Sequence, residues 1–139
     1  MSAYENARKF FEACEAPKGW EGCKEYVAPG ATFTAQSEPL TDIGTVQGYC
    51  DWMKGLVDGI LPDGRYDLHT SAFDEANNTA IFVATFHGTH TGDQGPMPAT
   101  GKATSTDYVY TLKMNADGQV QHMTKVWNAP WALKELGWA

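Results

Sequence analysis

The order of its local signals constrains this chain more than any single residue does. Helical patterns dominate the first 61 residues, interrupted by one short strand-like stretch, and almost everything from 65 to 127 reads as strand and tight turn. Segments 65–74, 79–91, 102–114 and 119–127 are strand-like, the second being the richest in Ile, Phe, Val and Thr. Asn77-Asn78 and Asn115-Ala116-Asp117-Gly118 supply turns between neighbours, and 92–100, with two prolines and two glycines, supplies a loop. Antiparallel strands joined this way cannot bury a face by themselves. The preceding helices must pack across them, which predicts an α+β domain with a curved antiparallel sheet wrapped around N-terminal helices. A twisted sheet curled over helices leaves space near its open end, a physical route to a ligand cavity.

The helices have their own punctuation. Ser2 and Glu5 form a capping box, and Ala7, Phe10, Phe11 and Cys14 follow on one face before Pro17 and Gly19 end the helix. A shorter helix carries Trp20, Cys23 and Val27 on one stripe and stops at Pro29-Gly30. Residues 31–36 read as a strand, and 46–61 as a third helix with Cys50, Met53, Val57, Ile60 and Leu61 facing the core and Trp52 bordering that face. Pro62-Asp63-Gly64 breaks it, and Pro130 opens a short closing helix with Trp131, Leu133 and Leu136. There is no repeat, low-complexity tract or linker, so residues 1–139 are expected to form one domain.

Composition narrows the function. A net charge of −7 with no basic stripe argues against nucleic acid as a partner. No stretch approaches the roughly 20 apolar residues of a membrane helix, and charges throughout residues 1–15 leave no secretory signal, so a cytoplasmic protein is expected. Cys14, Cys23 and Cys50 are odd in number and lack C-x-x-C spacing, which argues against a disulfide framework or a zinc ribbon; they are read as small apolar residues on helices. His87 and His90, three apart on a strand, point to opposite faces and cannot share a metal, so no metal is expected. Gly-x-Ser-x-Gly and phosphate-loop motifs are missing, and Gly88, Gly92, Gly95 and Gly101 are turn glycines with no helix behind them, so no dinucleotide or other cofactor is expected. Five Trp in 139 residues supply both core and pocket material.

Phe86-His87-Gly88-Thr89-His90-Thr91-Gly92, followed by Pro98-Ala99-Thr100-Gly101-Lys102, resembles the strand end and the loop of the SnoaL-like polyketide cyclases, a branch of the nuclear-transport-factor-2-like superfamily. Leu61-Pro62-Asp63, Asp117-Gly118-Gln119-Val120 and Leu136-Gly137 resemble further family segments in the same order, so the likeness covers about residues 46–137. The resemblance implies a cone-shaped sheet with an apolar pocket inside, a homodimer formed through the sheet, and a small-molecule ligand or substrate. It also implies ring closure by a cofactor-free aldol reaction, with an acid/base aspartate on the last strand. The corresponding positions here carry Asn128 and Lys125. Asn cannot exchange a proton at neutral pH, so the family mechanism does not transfer to Asn128, although Asn128 can still hydrogen-bond an oxygen.

Strand parity sets the remaining candidates. If Asn128 faces the pocket, His122 and Thr124 share its side, and His122 is then a candidate general base. Asp107 alternates with Tyr108 and Tyr110, and only one of these sets can point inward. The tyrosines are favoured as pocket residues, with Asp107 kept as a candidate catalytic acid. Trp52 and His90 complete the expected pocket group, although a structural role at the strand end is the simpler one for His90. Two function classes follow. One is a cofactor-independent cyclase, isomerase, dehydratase or hydrolase that moves a proton on a small apolar carbonyl compound. The other is a non-catalytic ligand-binding or dimerisation domain on the same scaffold.

Overall fold

A computed structural model describes residues 2–139. Helix α1 (Ala3–Glu15) starts where Ser2 Oγ accepts the Glu5 N–H at 3.1 Å. Helix α2 (Gly19–Cys23) runs into a single 3₁₀ turn, and strand β1 (Val27–Ala35) follows. Thr45 caps α3 (Val46–Gly59) through its hydroxyl. Strands β2 (Arg65–Asp74), β3 (Thr79–Thr89), β4 (Ala103–Met114) and β5 (Val120–Trp127) lead to the closing helix α4 (Ala129–Glu135). None of the described helices is long and apolar enough to cross a membrane.

The strands form one five-stranded sheet in the order β1-β5-β4-β3-β2. Pairs β2–β3, β3–β4 and β4–β5 are antiparallel, as the turns require, whereas β1 lies parallel to β5. The sheet is therefore mixed rather than antiparallel throughout. Turn chemistry reports only pairings between strands adjacent in sequence, and β1 meets β5 across some 90 residues, as in Thr34↔Thr124.

Burial alternates along β3 and β4, so each strand sends one set of side chains inward. The inward set of β3 and β4 includes Phe82, Phe86, Tyr108, Tyr110 and Leu112. Against it α1 lays Phe10 and Phe11, and α3 lays Tyr49 and Met53. Phe11 stacks on Phe82 at 4.7 Å and Phe33 on Tyr49 at 4.7 Å, so the core is built largely from aromatic faces. Gly92 lets the loop after β3 press on the end of α3: a Cβ there would sit 2.2 Å from the Gly59 carbonyl oxygen. This contact seats the loop beside the open end of the sheet.

Candidate active site

The interior between α1, α3 and the sheet is not uniformly apolar. Glu15, the last residue of α1, is buried, and so is Lys125 near the end of β5. Two tyrosines link them. Lys125 Nζ donates to Tyr49 Oη at 2.7 Å, Tyr49 and Tyr110 hydroxyls meet at 2.6 Å, and Tyr110 donates to Glu15 Oε2 at 2.7 Å. The Tyr108 hydroxyl donates to the other carboxylate oxygen. An ammonium and a carboxylate thus share one chain of hydrogen bonds instead of touching directly. Such a chain lets each group stabilise the charge of the other in a low-dielectric setting.

Aromatic rings enclose the ammonium. Nζ lies 4.9 Å from the ring centre of Tyr49, 5.0 Å from Trp127, 5.2 Å from Tyr108 and 5.4 Å from Trp52. Cation–π attraction at this range offsets part of the lost hydration. Burial still dominates. It lowers the Lys125 pKa to about 8 against the pull of Glu15, and it raises that of Glu15 against the pull of Lys125 and the two tyrosines. Burial and the nearby carboxylate raise Tyr49, Tyr108 and Tyr110, so these remain hydrogen-bond donors.

Beside this cluster is a cavity of about 440 Å³, walled by Trp52, Leu56, Phe86, Trp127, Leu136 and Trp138 among others. A crevice of about 20 Å³, roughly one water in size, touches Glu15, Tyr108 and Lys125 and shares Trp52, Leu56, Phe86 and Trp127 with the cavity. Apolar walls with a few polar groups at one end are the usual form of a small-molecule site. The hydroxyls of Thr104 and Thr106 also border the cavity and bond each other at 2.6 Å, with Thr104 donating to Glu135 at 2.8 Å.

The structure divides the residues singled out in the sequence. Tyr108, Tyr110 and Trp52 lie at the interior site. His122 does not: it sits on the outer face and bonds Thr32 Oγ1 at 2.6 Å and Thr34 Oγ1 at 3.1 Å. Asp107 is also outside, accepting from Thr85 Oγ1 at 2.6 Å. Thr124 and Asn128 border a separate, open depression between β1, β5 and α4, where Asn128 caps α4. His90 is buried but anchors the loop, its Nδ1 accepting from Thr100 N–H at 3.2 Å and Trp138 Nε1–H at 2.9 Å.

The outward placement of His122 and Thr124 on β5 has one cause. Asn128 stands past the strand end, where the chain turns into α4, so it cannot report which strand face points inward. The inward set is Met123, Lys125 and Trp127. Lys125 and Glu15 nevertheless carried a signal, a charge on an otherwise apolar stripe. Lys125 alternates with Met123 and Trp127, and Glu15 follows Ala7 and Phe11 at helical spacing.

The molecule is thus a small α+β domain that curves a sheet over helices and holds a buried carboxylate and ammonium beside an apolar cavity. The chain belongs to the SnoaL-like domain family, whose model matches residues 7–123. No curated protein matches it. Its fold is similar to that of a candidate SnoaL-like polyketide cyclase from Jannaschia sp. CCS1, with a TM-score of 0.77 and 17% identity over 96% of this chain and 90% of that one. It is also similar to AclR, a candidate hydroxylase from Streptomyces galilaeus, with a TM-score of 0.75 and 19% identity over 99% and 88%. IdmH, a candidate polyketide cyclase from Streptomyces antibioticus, gives a TM-score of 0.75 and 16% identity over 99% of both chains. Identities this low establish a shared fold and leave activity to the site.

Proposed function

We propose that this protein binds a small, largely apolar carbonyl compound and moves a proton on it without a cofactor, as a cyclase, isomerase, dehydratase or hydrolase would. The observation that carries this is the pairing of Glu15 and Lys125 through tyrosines beside an apolar cavity. Burial raises Glu15 above its ordinary value, the direction that makes its carboxylate a stronger base. Lys125, charged below about pH 8, offers a hydrogen bond to a developing enolate oxygen. Glu15 takes the proton from carbon while Lys125 holds the oxygen, and the tyrosine chain couples the two charges.

The test is solvent-deuterium exchange at the α-carbon of a panel of apolar ketones and 1,3-dicarbonyl compounds, followed by NMR. Wild type should accelerate exchange of at least one, and Glu15→Gln should lower that rate by about 10² to 10⁴. The rate should fall as pH passes about 8, where Lys125 loses its proton. Exchange unaffected by Glu15→Gln in a folded protein rejects the assignment.

A second reading, ligand binding without catalysis, is favoured by the size of the crevice at Glu15 and Lys125, about 20 Å³ and roughly one water. Saturable binding of the same compounds without exchange would select it. Assembly through the sheet is part of the proposal, because Ile81, Val83 and Val109 alternate with the inward set and lie half-buried on the outer face. Wild type should elute as a dimer and V83K/V109K as a monomer; a wild-type monomer at micromolar concentration contradicts this. Three free thiols suit a reducing compartment and support a cytoplasmic location.

A further inference from the structure

Three cysteines distant in sequence meet at one point. Cys14 comes from α1, Cys23 from the end of α2 and Cys50 from α3. All are buried and unpaired, and their sulfurs lie within 4.8 Å of one another. Apolar packing explains the burial of each but does not require that all three be thiols, since Ala or Val would fill such a layer too. Three sulfurs converging from three helices are what a thiophilic ion requires.

We propose that Cys14, Cys23 and Cys50 form a three-thiolate site for a trivalent, thiophilic metalloid, with arsenite as its representative. Ligand number and charge select this class. Among the described residues no fourth His, Cys, Asp or Glu atom joins the cluster, whereas structural zinc takes four ligands. Three thiolates around a trivalent centre make a neutral complex, the one charge state that costs little in a buried layer; a divalent ion would leave a net negative charge there. Bonds to sulfur of about 2.3 Å place three sulfurs roughly 3.5 Å apart around a pyramidal centre, and side-chain rotations cover the difference.

The reaction balances without an oxidant. Arsenite, As(OH)₃, exchanges its three hydroxyl groups for three thiols, forming three As–S bonds and releasing three waters.

Native mass spectrometry of the reduced protein incubated with arsenite tests the proposal. The expected product is a single adduct heavier by one arsenic less three hydrogens, accompanied by a raised melting temperature. Cys14→Ala, Cys23→Ala and Cys50→Ala, each confirmed folded by circular dichroism, should each lose it. X-ray absorption at the arsenic edge of the wild-type adduct needs no variant and should show three sulfur neighbours. No adduct, even after refolding from urea with arsenite present, overturns the proposal. So does an adduct that survives in a folded single variant, or an oxygen in the arsenic coordination shell.

Discussion

Strands β4 and β5 carry titratable side chains on both faces, and the two faces use them in opposite ways. Outside, Asp107 and His122 bond neighbouring threonines across adjacent strands and remain open to water. Inside, Lys125 is ringed by aromatics and reaches Glu15 only through tyrosines. Solvent screens the outer groups, so each is worth little to the fold. Burial sets the inner groups against their own charges, moving Lys125 down to about 8 and Glu15 up. Residue type therefore says less about chemical role than the strand face does, and His122 and Lys125, three apart on one strand, show it.

Activity should separate the two faces most strongly. Lys125→Met should reduce α-proton exchange by about 10² to 10³ through loss of the enolate partner, while His122→Ala and Asp107→Asn should retain wild-type rates. An outer-face substitution as damaging as Lys125→Met would reverse the assignment of faces.

Stability should separate the faces next. Lys125→Met leaves Glu15 buried without its countercharge and should cost about 3 kcal/mol in urea denaturation. Glu15→Gln combined with Lys125→Met removes both charges and should recover most of that loss. If the double variant is no better than the single, the two groups are not coupled through Tyr49 and Tyr110.

The pH dependence sharpens the inner half. Native Lys125 releases its proton near pH 8 and the unfolded chain near 10.5, so the unfolded state binds more protons between those values. Stability should therefore rise with pH across that window, by about 3 kcal/mol, when wild type is compared with Lys125→Met. Glu15 acts in the other direction: its native pKa is raised above 4.5, so stability should fall as pH climbs from 4.5 to the raised value. A flat difference curve would mean that Lys125 stays charged when buried. The smallest effect belongs outside, where Asp107→Asn should change stability by no more than about 0.5 kcal/mol.

Much of the fold was legible in sequence for local reasons. The hairpin at 115–118 is specified by its own residues, with Gly118 at φ +75°, and the 65–74 strand has the boundaries its pattern predicts. The interior site was legible only in part. The inward tyrosines follow from the cost of burying Asp107, but Glu15 and Lys125 lie 110 positions apart and neither is informative without the other.

Sequence by itself determined the order of helices and strands, the alternation along each strand and the family of the chain, because these depend on neighbours a few residues away. Tertiary structure alone decided that β1 runs parallel to β5, that Lys125 rather than His122 points inward, that Glu15 meets it through Tyr110 and Tyr49, and that three cysteines share one point. Those are contacts between residues distant in the chain. Local periodicity gives the phase of each element about its own axis, and only packing gives the phase of one element against another.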